Sequence, residues 1–285
     1  MESIFAWGLG GLLTGLREGV EAALIVGILA SYLVKIGRAD RLAIVWLGVS
    51  AAIVASAVIG VVAFVALGSL QGVAEQFTAG TTSLLAVVIL TYMLFWMRKQ
   101  AVSMGADLRA GVDRAVASTS ILGLGLLAFT AVIREGIETS LFLLGQTTAA
   151  AGEGLSVVLG AVVGLLIAAS IGVLIFRAGL RLNLSAFFNV TGAALVVIAS
   201  GLLSYGVHEF IEIGLLPGLV TPLYDISAVL PHTAGIGQFL RAIVGYSATP
   251  ELTTLLAQVA YLLFGLIFYV RPVWRAAATR AVAAA

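Results

Sequence analysis

An Arg-Glu-Gly-Val-Glu cluster at residues 17–21 stands inside an apolar run that extends from Ile4 to Val34. The same arrangement, Arg134-Glu135-Gly136-Ile137-Glu138, stands inside a second apolar run from Ile121 to Leu144. Ionisable side chains are costly in hydrocarbon, so each cluster has to face a protein interior or an aqueous cavity, and each marks an ion path, a proton relay or a comparable site. Any fold for this chain must turn two charged helix faces away from lipid. Packing alone is the competing explanation, with each arginine pairing only with its own i+4 glutamate, but it leaves Glu18 and Glu135 without an obvious basic partner.

Composition fixes the surroundings. Of 285 residues, 61% are hydrophobic and only 10% charged, proportions that belong to a polytopic helical membrane protein rather than a soluble domain. The absence of cysteine excludes disulfides, thiolate metal sites and cysteine nucleophiles, and two histidines leave little for a zinc or haem enzyme. No basic tract reads as a nucleic-acid surface. The first apolar run lacks the positive flank of a cleaved leader and is expected as a mature first helix. A transporter rather than an enzyme is expected, with no cofactor and with membrane lipid around it.

A membrane-crossing helix needs roughly 20 apolar residues, and seven runs approach that length, at 4–34, 42–68, 79–97, 118–145, 154–176, 186–208 and 252–270. The loop charges sort by sign. Twelve of the fifteen basic residues fall in one set of loops: Lys35, Arg38 and Arg41; Arg98, Lys99, Arg109 and Arg114; Arg177 and Arg181; Arg271, Arg275 and Arg280. The other set holds only Arg241, alongside Glu2, Glu75, Glu153, Asp225 and Glu251, where Glu75 and Glu153 read as solvated loop charges. The positive-inside rule then places the amino terminus outside and the carboxyl terminus in the cytoplasm, which requires an odd number of spans. Tyr92, Phe95 and Trp96, just before Arg98, read as an interfacial aromatic belt.

The two motifs lie 117 residues apart, and each opens a block of three spans. A three-span block reverses its orientation when repeated. The expected fold class is therefore all-α, with seven transmembrane helices arranged as a 3+3 inverted repeat plus one additional helix. The blocks run 1–114 and 115–212, followed by an extracytoplasmic loop at 213–251 and a seventh helix with a cytoplasmic tail at 252–285. Inverted repeats commonly hold substrate near the midplane at their interface. The proline-bearing loop either covers a site or ties the sixth helix to the seventh along the surface.

Helix geometry sets Glu18 and Glu21 about 60° and roughly 4.5 Å apart, with Arg17 about 40° from Glu21, so one side carries all three. If the first and fourth helices face each other, four carboxylates meet two guanidinium groups. Oxygen donors suit hard cations such as Mg²⁺, Ca²⁺, Mn²⁺ and Fe³⁺. Glu18, Glu21, Glu135 and Glu138 are thus the expected metal ligands, with Arg17 and Arg134 orienting them. Near the outward end of the sixth span, His208, Glu209 and Glu212, joined by Asp225, could collect a cation first, or form an ordinary wet helix terminus. Thr130 and Thr139 could donate to a carboxylate or satisfy helix carbonyls. Gly11, Gly15, Gly19, Ala23 and Gly27 form a small-residue ridge along which another helix can approach closely.

Arg17 to Glu21 and Arg134 to Glu138, with Tyr224-Asp225-Ile226-Ser227 before the last span, resemble the iron permease family of fungal high-affinity iron permeases and bacterial EfeU-type iron transporters. The two motifs are close to its REGLE-type signature in the first and fourth spans. The resemblance implies passage of ferric iron, with ferrous iron as the alternative, through ligands Glu18, Glu21, Glu135 and Glu138. It implies supporting roles for Arg17 and Arg134, and service to the incoming ion for His208, Glu209, Glu212 and Asp225. Related fungal permeases work with a multicopper ferroxidase, and bacterial ones with a periplasmic iron-binding protein and a haem peroxidase. The implied location is the cell inner membrane. Manganese as substrate, a cation channel, and a membrane protein that binds metal without passing it stay open on the residues alone.

Overall fold

The computed structural model describes residues 2–68, 70–100, 104–117, 121–150, 152–178 and 183–270. Among them the only regular structure is helix. The order is α1 (Glu2–Lys35), a 3₁₀ turn (Ala39–Arg41), α2 (Leu42–Gly68), α3 (Val73–Gln100), α4 (Met104–Ala117), α5 (Ile121–Ala149), α6 (Gly154–Ala178), α7 (Leu184–Glu212), α8 (Gly235–Val244) and α9 (Leu252–Gly265). A π-helical turn, Leu266–Val270, extends α9.

Each expected span falls on one long helix, apart from residues 118–120, which lie outside the described residues. Five segments are long and apolar enough to cross a membrane: Ala39–Gly68, Val73–Met97, Gly154–Phe176, Leu184–Glu212 and Leu252–Val270. The two other long helices, α1 with 34 residues and α5 with 29, carry the paired charge clusters in their middles. The basic tail at Arg271, Arg275 and Arg280, and Arg181, also lie outside the described residues.

Close packing follows from small residues. A Cβ added to Gly11 or Gly15 would run into the α6 backbone at Val157 or Ala161, and Gly172 of α6 sits against Ala23. The ridge therefore seats α6 on α1 as far as Ala23, while the space beside Gly27 is open. Gly48 likewise faces the Gly125 backbone, and Gly136 faces Ser56, so α2 lies along α5. Without water to drive apolar association in lipid, such backbone approach supplies the dispersion contact that holds helices together. The outward faces of α2 and α6 are mostly apolar, with Leu47, Val54, Val61, Leu159 and Leu166 among the exposed side chains, as expected of helices that border hydrocarbon. α3 lies along α7, α1 also meets α5, and α9 covers α7.

Two short helices replace expected loops. The described part of 98–117 contains α4, whose Leu108 and Val112 turn into an apolar cluster with Leu29, Leu33 and Leu124 while Arg109 and Asp113 face outward. Tyr32 of α1 donates to Asp113 at 2.7 Å. At the opposite end, the Pro- and Gly-rich stretch contains α8, which packs on α1 and α7. Its C-terminal Gly245 is left-handed, with φ of 72°, and abuts Gly201, a contact with no room for a side chain. Gln258 of α9 donates to the Val244 carbonyl and ties the last helix to α8.

Candidate metal site

The charged faces of α1 and α5 meet in the interior. Glu18, Glu21 and Glu135 are all buried, and one carboxylate oxygen from each lies within 4.8 Å of the others. Oxygen ligands about 2.1 Å from a small hard cation stand roughly 3 to 4 Å from one another, so a slight contraction would make these three a ligand set. Glu138 stands next to them, bound to Arg134 at 3.0 Å. Four carboxylate oxygens, Glu18 Oε2, Glu21 Oε1, Glu135 Oε2 and Glu138 Oε2, are buried without a protein hydrogen-bond donor. Buried acceptors nearly always have partners, so this concentration of unpaired oxygens could hold a proton or a cation.

Identical motifs have unequal surroundings. Arg17 is only 2% exposed, and its guanidinium reaches Glu18 at 2.7 Å and Glu21 at 3.2 Å. The second contact is an ion pair without hydrogen-bond geometry, so Glu21 Oε1 remains among the unpartnered oxygens. The same two nitrogens, Nη1 and Nη2, also reach the sulfurs of Met93 and Met97 on α3, and Nε is buried without a partner. Glu18 therefore does have a basic partner, contrary to the expectation from i+4 spacing, because one guanidinium reaches both the adjacent glutamate and the i+4 one. Glu135 has no ion pair among the described residues. Arg134 is 40% exposed and lies 4.0 Å over the Trp96 ring. Of the three aromatic residues before Arg98, Trp96 thus contacts Arg134, Phe95 packs on Phe264 and Tyr269, and Tyr92 is exposed. α3 runs past Arg98 to Gln100.

The hydroxyls take the structural option. Thr139 donates to the Glu135 carbonyl and Thr130 to the Leu126 carbonyl.

His208, Glu209 and Glu212 gather at the α8 end of the bundle. The histidine bridges α7 to α9, with Nδ1 2.7 Å from Glu251 and Nε2 3.4 Å from Glu212. Gln76 of α3 donates to the other Glu212 oxygen at 2.5 Å. Two cavities open here. One, of about 190 Å³, is lined by Trp7, Gly10, Gln146, His208, Arg241 and Glu251. The other, of about 560 Å³, is lined by Glu75, Gln76, Tyr205, Glu209 and Glu212. Glu75, exposed in the first turn of α3, borders the second cavity, and Glu153 receives the Ser156 hydroxyl at the start of α6. Asp225 lines neither cavity. The Ser227 amide and hydroxyl hold it at 2.9 and 2.6 Å and push its pKa below the usual carboxylate range. Glu251, Gln76, Gln146 and the two methionines carried no local signal, because each gains its meaning from a partner far away in sequence.

Residues 8–282 match the Iron permease FTR1 family. The chain belongs to that family. Relatives include an uncharacterized protein of Archaeoglobus fulgidus, 39% identical over 269 residues that cover 91% of this chain and 94% of the relative. The ferrous iron permease EfeU of Yersinia pestis is 35% identical over 271 residues, covering 94% and 95%. EfeU of Escherichia coli O6:H1 is 35% identical over 259 residues, covering 90% and 93%. No solved structure matches. This FTR1-family chain is therefore a membrane protein of iron transport, and its family points to a permease rather than an enzyme.

Proposed function

We propose that the chain imports iron across the cytoplasmic membrane through the buried carboxylates of α1 and α5. The convergence of Glu18, Glu21 and Glu135, with Glu138 adjoining, is the observation that carries this reading. Arg17 and Arg134 hold the acids in place and keep the cluster from excess negative charge. His208, Glu209 and Glu212 lie where an ion would approach from outside, whereas Asp225, already engaged by Ser227, is the weakest member of that group.

The long helices act as seven spans with the amino terminus outside. Their pairing supports an inverted repeat of α1–α3 and α5–α7. Exchanging α1 with α5, α2 with α6 and α3 with α7 turns the α1–α6 contact into the α5–α2 contact and leaves the α3–α7 and α1–α5 contacts in place. The short helices fit as well, since α4 follows the first block and α8 the second. In this arrangement α4 caps the cytoplasmic end and α8 the outer end, with α9 outside the repeat.

The donor set accommodates either oxidation state. Ferric iron follows from the resemblance to oxidase-partnered permeases and from the hardness of carboxylate oxygen; ferrous iron is favoured by the printed names of the EfeU relatives. A ferroxidase, or a periplasmic iron-binding protein with a haem peroxidase, would supply the ion. Uptake of radioactive iron into sealed proteoliposomes, with each oxidation state and with competing manganese, decides among them. Uptake lost in Glu18→Gln and Glu135→Gln at equal protein levels is expected. Undiminished uptake in both variants would overturn the site, and binding without flux in the parent would make this a metal-binding protein rather than a carrier.

A further inference from the structure

The two ends of the proposed path are closed by different materials. Toward α4, Ile25, Leu29 and Leu33 of α1 pack with Val45 and Val49 of α2, Leu108 and Val112 of α4, and Leu124, Ala128 and Val132 of α5 in one buried apolar cluster. Toward α8, Trp7, Ala150 and Val157 form a small buried apolar cluster, and beside it, with Ile198 and Leu202 also in its wall, is the 190 Å³ cavity. Gln146 is part of that cavity's lining. Its Nε2 donates to Thr14 at 2.8 Å, and Thr14 lies one helical turn before Glu18 on α1, about 6 Å along the axis. The 117-residue offset pairs Thr14 with Ala131 and Gln146 with Leu29, so this polar contact has no counterpart at the other end.

Both side chains are buried, Thr14 completely, and Gln146 Oε1 has no partner. That oxygen lies beside Gly10, where an added Cβ would press on it. A buried amide with a free oxygen is an uncommon arrangement for a purely structural residue. It suits a side chain that must let go.

We propose that the Gln146–Thr14 hydrogen bond is the outer gate of the ion path, and that Gln146 is the positioning residue that opens it. This neutral hydrogen bond joins a side chain of the cavity lining to a residue one turn before Glu18. Opening swings the amide toward the cavity, where its free oxygen meets the incoming cation, whereas the apolar cluster at the α4 end stays packed. Access is therefore asymmetric: the outer barrier includes a polar contact that can open, and the inner one is an apolar cluster. The inference rests on the transport reading for what passes, but the test below reads access and not flux.

The chain has no cysteine, so one introduced thiol reports alone. Glu18→Cys is placed in otherwise intact full-length protein, in right-side-out and inverted vesicles, and reacted with a membrane-impermeant cationic methanethiosulfonate. Adding Gln146→Ala, or Thr14→Val as an independent way to remove the bond, is expected to raise the labelling rate from outside about ten-fold, on the order of losing one net hydrogen bond from the closed state. The rate from inside stays unchanged. Thr14→Ser keeps the acceptor and labels as slowly as the Glu18→Cys parent, which a loss of packing alone would not reproduce. Equal outside rates with and without the bond, or acceleration from both sides, would overturn the gate. Absence of iron flux in wild-type vesicles with this labelling pattern intact would instead count against the iron reading.

Discussion

Arg17→Ala and Arg134→Ala remove the same residue from the same motif, and the surroundings make their costs unequal. Arg17 is 2% exposed and is the only cation within ion-pair distance of Glu18 and Glu21 among the described residues. Removing one partner of a buried pair typically costs about 3–5 kcal/mol, because it leaves the other charge uncompensated. Arg134 is 40% exposed, pairs with Glu138 and stacks on Trp96. An exposed ion pair contributes about 0–1 kcal/mol and an exposed cation–π contact about 0.5–1 kcal/mol, so its loss should cost roughly 0.5–2 kcal/mol. The difference, about 2–3 kcal/mol in favour of Arg17, is measurable by reversible denaturant unfolding in mixed micelles. A double-mutant cycle separates charge from packing, since Glu18→Gln should recover a substantial part of the Arg17→Ala loss. Equal destabilisation by the two alanine variants, or no recovery by Glu18→Gln, would refute the unequal burial on which the site geometry depends.

Three further outcomes follow from particular contacts. Gly15→Val drives a branched side chain into the Ala161 backbone and should cost at least about 1–3 kcal/mol, read as lost yield and lower thermal stability, whereas Gly27→Ala meets open space and should gain up to about 1 kcal/mol from helix propensity. Trp96→Ala should leave folding largely intact but lower the stability contribution of Arg134 by about 0.5–1 kcal/mol, so the Arg134→Ala penalty should shrink in the Trp96→Ala background. His232 accepts a hydrogen bond from the Ala248 amide at 3.1 Å, and partial burial with Arg241 nearby lowers its pKa. The unfolded segment then binds a proton before the folded one, so stability from this contact is complete above about pH 6.5 and is lost as pH falls through the folded value. Hydrogen exchange at Ala248 should accelerate over that interval, and the acceleration should vanish in His232→Gln.

The long helices were legible because each apolar run is near the length a bilayer demands, and because helices buried among others in lipid need no polar face. The site was legible for a related reason: in such a chain, charge stands out. Two features hid. α4 is 14 residues with Asp107, Arg109, Asp113 and Arg114 spaced among apolar positions, a pattern that composition assigns to a cytoplasmic loop and that only its contacts with Leu29 and Leu33 identify as a cap. α8 is 10 residues inside a stretch of proline and glycine, where breakers mask a short amphipathic turn. A tryptophan before an arginine usually marks a membrane interface, and the contact of Trp96 with Arg134 shows only in the fold. Glu251 reads as an outer loop charge until it is seen to hold His208 across 43 positions of sequence.

X-ray absorption at the iron edge of the purified, iron-loaded permease tests the carboxylate site most directly. A first shell made of oxygen at about 2.0–2.2 Å is expected, with loading lost in Glu18→Gln and Glu135→Gln and kept in Met93→Leu. A sulfur scatterer in the first shell, or unchanged loading in both glutamine variants, would mean that iron binds elsewhere.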